Sequence, residues 1–460
     1  MLCLRHDQQA LLDRAAYAVR EPGSSLLLVA PTGSGKTVIF CELTKRSFDI
    51  GRRVLILSHR SELIDQISRT LTMMEVPHGC IGPSRKQEPE QRVQVASVNT
   101  LARNTGRSAR PDLIIIDEAH HAIAGSAFGR IIATHAGVPV LGVTATPERL
   151  SGEGLRGTFS SMEIGPTTKE LIALGYLSPF RIFAPPQHAA DGVRTRMGDF
   201  ERKALDCAIN KPSITGDAVE HYGKLGMGRR ALVFCVSVQH AKNCAEQFST
   251  AGYQSASLDG CMDRTAREHI VAGFSSGRIQ VLTSCDLVSE GFDLPAIEVA
   301  ILLRPTQSLA LFLQQCGRAL RTYPGKEYAL ILDHAGNTER HGWPDDERDW
   351  SLDGRGKRSK SDCEKALTVR VCGQCFAASK APIEACPYCG YVWPPKPREV
   401  EKVDGELQEA VRRERIQANK AEQAKAYDLQ GLIALGRKRG YRQPDYWARC
   451  VWQARQGRGR

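Results

Sequence analysis

One stretch constrains this chain more than any other: Leu26-Leu-Leu-Val-Ala-Pro-Thr-Gly-Ser-Gly-Lys-Thr37. The apolar run Leu26 to Val29 predicts a buried parallel strand, and the residues after it fit a glycine-rich phosphate loop that opens a helix at Thr37. Thr32, Gly33, Ser34 and Gly35 form the loop, whose glycines let backbone N–H groups approach phosphate oxygens. Lys36 supplies a point charge for the β and γ oxygens, and the Thr37 hydroxyl suits Mg²⁺. Ala30 stands where the strict pattern has its first glycine. The plain alternative is a glycine turn before an ordinary helix; the order strand, Gly-Lys-Thr, helix speaks against it.

At 460 residues the chain has room for two or three domains. No apolar run approaches the roughly 20 residues of a membrane span, and the first residues lack a signal-peptide core, which predicts a cytoplasmic protein with no membrane partner. Of the 15 cysteines only Cys372, Cys375, Cys386 and Cys389 form a pattern, which points to a reducing compartment and a metal site. The net charge is +11, and residues 396–460 carry 16 Lys and Arg against 9 Asp and Glu. Such a basic tail suits a polyanion, most simply nucleic acid, although a solvated helical surface accounts for the charge equally well.

The first part of the chain reads as an α/β unit. Strand candidates at Leu26–Val29, Val54–Leu57, Val93–Ala96, Leu113–Ile116 and Val138–Val143 alternate with helical stretches such as Ser61–Met74. That alternation implies a parallel sheet with ligands at the carboxyl ends of its strands. One of these strands runs into Asp117-Glu118-Ala119-His120. In phosphoryl transfer to water, one carboxylate can hold Mg²⁺ while the next orients and deprotonates the nucleophile, roles that fall to Asp117 and Glu118.

Asp-Glu-Ala-His spells the box of the DEAH branch of superfamily 2 helicases, and other stretches resemble that family in order and spacing. Leu4-Arg5-His6-Asp7-Gln8 is similar to the element whose glutamine, here Gln8, reads adenine, with His6 and Asp7 where Pro and Tyr are usual. Ser58-His59-Arg60 and Ser97-Val-Asn-Thr100 resemble contacts to the nucleic-acid backbone. Thr144-Ala-Thr146 resembles the element that couples hydrolysis to strand binding.

A second α/β unit follows Ala184-Pro-Pro-Gln187, with strand candidates Ala231–Cys235, Ile279–Thr283, Val299–Leu303 and Tyr328–Leu332 and no second phosphate loop. By the resemblance it is a second RecA-like domain that closes over ATP held by the first. Ser289-Glu-Gly-Phe-Asp293 resembles the motif at the domain interface, in which Asp293 meets the ribose and Gly291 allows close approach. Gln314-Gln-Cys-Gly-Arg-Ala-Leu-Arg321 matches Gln-x-x-Gly-Arg-x-x-Arg. On a helix Arg318 and Arg321 fall on one face and can both enter a cleft, with Arg321 as the main arginine finger and Arg318 assisting. Leu141–Leu150, Gly175–Pro179, Glu290–Pro295 and Ile301–Asn337 are similar to stretches of the RadD group of bacterial DNA-repair helicases and related phage and prophage proteins.

The polar run 346–368 reads as a linker. Beyond it, Cys372-Gly-Gln-Cys375, ten intervening residues and Cys386-Pro-Tyr-Cys389 can place four thiolates around Zn²⁺. Residues 401–425 predict an exposed helix, and Asp428–Arg437 and Pro444–Arg455 predict two short helices. Tyr441, Tyr446, Trp447 and Trp452 among basic residues suit stacking on nucleic acid, or equally a helical hairpin packed on the zinc segment.

The fold expected is therefore α/β: two tandem RecA-like domains (1–183 and 184–345), a linker (346–368), a zinc ribbon (369–395) and a basic helical tail (396–460). The expected activity is that of a nucleic-acid-stimulated ATP hydrolase, a translocase or helicase using ATP, Mg²⁺ and Zn²⁺. Its expected partner is single-stranded or forked DNA in repair, recombination or phage replication, with repair or replication proteins alongside. Three rivals share these motifs: an RNA helicase, the motor subunit of a restriction or remodelling complex, and an ATP-gated DNA-binding module that does not unwind.

Overall fold

The computed structural model of the chain describes residues 4–83, 85, 88–123, 125–149, 152–184, 195–196, 199–210, 212–260, 262–285, 297–354, 369–381, 383–393, 421–423, 425–441 and 443–456. Two compact units emerge, residues 1–393 and 394–460.

The first unit contains two parallel sheets. Strands β1 (Ser25–Val29), β2 (Val54–Ser58), β3 (His78–Ile81), β4 (Val93–Ser97), β5 (Leu113–Asp117), β6 (Val140–Thr144) and β7 (Ser161–Ile164) lie in the order β3-β4-β2-β5-β6-β1-β7. All their pairings are parallel. Side chains of β1 alternate between two cores: Leu26 and Leu28 face one, Leu27 and Val29 the other. After β8 (Phe180–Phe183) and a small hairpin of β9 (Thr195–Arg196) and β10 (Asp199–Phe200), the second sheet continues. It adds β11 (Ala231–Phe234), β12 (Ser255–Leu258), β13 (Val281–Ser284), β14 (Val299–Leu302) and β15 (Ala329–Asp333), in the order β12-β13-β11-β14-β15-β8. Here too the pairings are parallel and the side chains alternate, with Leu232 and Phe234 facing one core and Ala231 and Val233 the other. The architecture is α/β with two RecA-like sheets.

The division between the lobes falls earlier than residue 183. Strand β8 pairs with β15, and Leu171 and Leu177 are buried in the second core, so the segment from the helix Thr168–Ala173 to Phe183 belongs with the second sheet. The physical reason is that these apolar side chains find cover only there.

The expected linker also begins as packed structure. Leu352 is buried in the first lobe's core, and its carbonyl accepts hydrogen bonds from Leu155 N (2.8 Å) and Arg156 N (3.0 Å). The Asp353 carboxylate pairs with the Arg156 guanidinium, and Gly354 bridges Glu153. Trp350 packs against both lobes' cores, so residues 343–354 form a strap from the second lobe back to the first. Residues 355–368 of the expected linker lie outside the described residues.

Strands β16 (Val369–Val371) and β17 (Ala378–Lys380) form an antiparallel hairpin that carries the first cysteine pair. It docks on the end of β8 through an Ala184 N to Phe376 O hydrogen bond of 2.9 Å and a Phe183–Ala377 bridge.

In the second unit, helices Leu429–Lys438 and Pro444–Gln456 pack through Leu432, Ile433 and Ala448, with Trp447, Val451 and Trp452 against them. Trp447 and Trp452 thus cover a core, while Tyr446 is exposed. The helix expected over 401–425 lies almost wholly outside the described residues. Among the described residues no helix is long and apolar enough to cross a membrane.

Candidate nucleotide cleft and its coupling residues

Strand β1 ends where the chain must turn sharply into the helix Lys36–Asp49. Gly33 (φ 89°) and Gly35 (φ 87°) both take the left-handed conformation, and Gly35 is the N-cap. A Cβ on Gly35 would stand 2.2 Å from Gln8 Nε2, so the loop is closed by its neighbour as well as by its own torsions. Gln8 is buried against this loop: its Nε2 donates to Ser34 O at 3.0 Å and its Oε1 accepts from Arg5 N at 3.0 Å. Its amide therefore fastens the loop rather than lining the cleft.

Lys36 Nζ donates to Ala30 O (2.9 Å) and Pro31 O (3.2 Å). Burial lowers its ammonium pKa; the Glu118 and Asp117 carboxylates oppose that shift, and the Arg321 and Arg318 guanidiniums add to it. Asp117 closes β5, and burial, with the Glu118 charge beside it, pushes its carboxyl up to about 7 against the pull of Lys36. Glu118 then leaves the strand at φ 50°, a left-handed torsion that costs about 1–3 kcal/mol in a non-glycine residue.

The second lobe meets these groups. Gln314 Nε2 donates to Glu118 Oε1 at 3.5 Å, and Arg318, Arg321 and Gln314 line the same cleft as Lys36, Thr37, Asp117 and Glu118, with about 370 Å³ of free volume. Arg318 lies on the helix Leu309–Leu320, but Arg321 does not, contrary to the one-face expectation. Its backbone is extended (φ −60°, ψ 136°) and bridges Leu177, while Lys326 Nζ donates to the carbonyls of Ala319 and Arg321. A cation satisfying the last carbonyls ends the helix one residue early, and the extended backbone still leaves Arg321 on the cleft.

Arg5 and Tyr176, which motif reading did not single out, close one side of the cleft, the guanidinium lying 4.2 Å from the ring centroid. Their signal was present only as flanking residues of quoted motifs, since stacking partners from distant segments leave no spacing to read.

Behind the cleft, Thr144 Oγ1 donates to Thr146 O (2.9 Å) and so can accept from His120 Nδ1 at 3.1 Å. His120 Nδ1 is also 3.3 Å from Glu118 Oε2, which assigns the proton to Nδ1 and shares it between hydroxyl and carboxylate. Thr144, Thr146 and Ser97 are buried, whereas Asn99 is exposed and Thr100, His59 and Arg60 are half-buried. Gly291 and Asp293 lie outside the described residues.

The chemistry of the cleft fits a magnesium nucleoside triphosphate. Three cations and a helix N-terminus suit a polyphosphate, and the hard oxygens of Thr37 and Asp117 suit Mg²⁺. In the ribbon, Sγ of Cys372 is 3.5 Å from that of Cys389, and Sγ of Cys375 is 3.6 Å from that of Cys386. Tetrahedral Zn–S bonds of about 2.3 Å imply S···S edges of about 3.8 Å, so the thiol set is the right size for zinc.

Comparison with known proteins agrees with this geometry. The family "Type III restriction enzyme, res subunit" matches residues 1–149, and "Helicase conserved C-terminal domain" matches residues 214–323. The chain is 35% identical to the "51.5 kDa protein" of a Lactococcus phage over 79% of its own length and 77% of that protein. It is 29% identical to the putative ATP-dependent helicase IRC3 of Saccharomyces cerevisiae over 72% of its length, but spans only 51% of the yeast protein. A fragment of a putative HsdR subunit of a type I restriction enzyme from Vibrio vulnificus shares the fold, with a TM-score of 0.59, 21% identity and coverage of 76% of this chain and 67% of that one. With lysine and carboxylates on one lobe and arginines on the other, and both halves matched in order, the chain belongs to the superfamily 2 helicases, ATP-hydrolysing helicases and translocases of nucleic acid.

Proposed function

We propose that this chain is a DNA-stimulated translocase or helicase of the RadD-like kind, with ATP hydrolysed between two lobes divided near residue 165. The observation that carries the reading is the placement of Arg318 and Arg321 on the same cleft as Lys36, Asp117 and Glu118. Thr32 to Thr37 cradle the phosphates, and Gly291 and Asp293 meet the ribose. Gln8 reads adenine only after its bond to Ser34 O is exchanged. Glu118 orients water and takes its proton, while Arg321, assisted by Arg318, neutralises charge gathering on the γ-phosphoryl group. Thr37 and Asp117 would hold Mg²⁺, whose charge would screen the phosphate oxygens.

The strand crosses the far edge of both lobes at His59, Arg60, Ser97 and Thr100, with Thr144 and Thr146 coupling its arrival to hydrolysis. Buried Ser97 acts through its loop, leaving direct contact to Asn99 and Thr100. Cys372, Cys375, Cys386 and Cys389 hold Zn²⁺, and the basic tail adds affinity for DNA.

ATP hydrolysis measured without nucleic acid and with single-stranded, duplex and forked DNA, beside RNA homopolymers, tests the reading. Stimulation by single-stranded or forked DNA above RNA is expected; equal or greater stimulation by RNA overturns the DNA assignment. A second reading, the motor of a restriction complex, is favoured by the family match over residues 1–149. Copurification of nuclease or methylase subunits would select it.

A further inference from the structure

His121, the residue after the Asp-Glu-Ala-His box, joins two sites that no motif connects. Its ring centroid lies 4.6 Å from that of His59, edge to face, and 4.0 Å from that of His120. At the outer end, His59 Nε2 accepts from Arg60 Nε at 3.3 Å, and Arg60 is the N-cap of the helix Ser61–Met73. At the inner end, His120 Nδ1 shares its proton between Thr144 Oγ1 (3.1 Å) and Glu118 Oε2 (3.3 Å). The three rings make one contiguous path from a half-buried guanidinium to the carboxylate of the nucleotide cleft.

We propose that His121 is a positioning residue that couples strand occupancy at Arg60 to the basicity of Glu118. The inference rests on the reading of Arg60 and His59 as a backbone-phosphate contact. A phosphate is a stronger acceptor for a guanidinium than a neutral imidazole, so strand binding draws Arg60 away from His59 Nε2. The freed His59 ring then reseats against His121, and His121 tilts His120. The two-state element is the shared proton of His120 Nδ1. Donated to Glu118, it blunts the carboxylate as a base; donated to Thr144 alone, it leaves Glu118 to take a proton from water. Packed rings transmit such a shift because the interior holds few discrete arrangements and does not yield continuously.

The test compares wild type with His121→Leu, which removes the ring, and His121→Phe, which keeps it. For each, ATP turnover and KM for ATP are measured with and without a saturating single-stranded oligonucleotide, and the affinity for that oligonucleotide is measured separately. The Leu variant should keep basal turnover, KM and oligonucleotide affinity while its stimulation by the strand falls about 10-fold, the size of an ordinary coupling between two sites. The Phe variant should recover most of that stimulation. Unchanged stimulation in the Leu variant overturns the coupling role while leaving the assignment of the motor intact, and so does a loss that merely follows weaker oligonucleotide binding. Wild type that no strand stimulates removes the motor reading and this inference with it.

Discussion

Gly317 of the second lobe lies so close to Thr32 of the phosphate loop that a Cβ on the glycine would stand 2.6 Å from the Thr32 Cβ. The Gln-x-x-Gly-Arg-x-x-Arg pattern therefore needs its glycine for the approach of the two lobes. Gly317→Ala should hold them apart and lower kcat by about 10-fold or more, since a displacement near 1 Å is costly to positioned chemistry. Steady-state hydrolysis alongside Tm would check this, and normal turnover at normal Tm would contradict it.

Lys36→Ala and Glu118→Gln should each abolish turnover for different reasons. Removing the Lys36 ammonium weakens nucleotide binding itself. Glu118→Gln keeps shape but not basicity, so it should retain ATP binding while kcat falls by about 10² to 10⁴-fold. Fluorescent-nucleotide titration separates the two, and wild-type turnover by Glu118→Gln would remove that residue from the role of base.

Arg321 is anchored by backbone bonds to Leu177 and Lys326 rather than by a helical turn, so its guanidinium is positioned independently of Arg318. Arg321→Ala should cost about 10³-fold or more in kcat with little change in ATP affinity, and Arg321→Lys should not restore it, because an ammonium lacks the planar fork. Arg318→Ala should cost less. Equal losses from the two substitutions would argue against that division of labour.

The ribbon should bind one zinc ion per chain, measurable by elemental analysis. Two knuckles repeat the same turn: Phe376 N donates to Cys372 O at 3.0 Å and Gly390 N to Cys386 O at 2.9 Å, with Phe376 and Gly390 both at positive φ. Cys375→Ser should lower zinc content and release the ribbon from the end of β8, seen as faster amide exchange at Ala377 and Ala378. A stoichiometry near zero in protein prepared without chelator would refute the site.

Leu352, buried in the first lobe although it follows the second lobe in sequence, predicts that the strap stabilises the pair of lobes. Leu352→Ala should lower unfolding stability by about 2–5 kcal/mol, as for other buried leucines, whereas Asp353→Ala, which breaks an exposed pair, should have little effect. Denaturant unfolding monitored by Trp350 fluorescence would distinguish the two.

The amino-acid sequence by itself determined every inner strand of both sheets and the chemistry of the cleft. β1, β2, β4, β5 and β6, with β11, β13, β14 and β15, are covered on both faces, so their apolar runs are continuous and legible. The four strands it did not reveal, β3, β7, β8 and β12, are the four edges, where partial cover leaves mixed patterns without an unbroken apolar run. Lys36, Asp117, Glu118, Arg318 and the cysteine knuckles were legible because phosphate and metal chemistry fixes residue type at short spacing. Only the tertiary structure decided that residues 168–183 belong to the second lobe, that Arg321 lies beyond its helix, that Gln8 fastens the loop, and that Leu352 returns to the first core. Each depends on which distant surface offers an apolar side chain cover or a carbonyl a donor, and spacing along the chain carries no record of that.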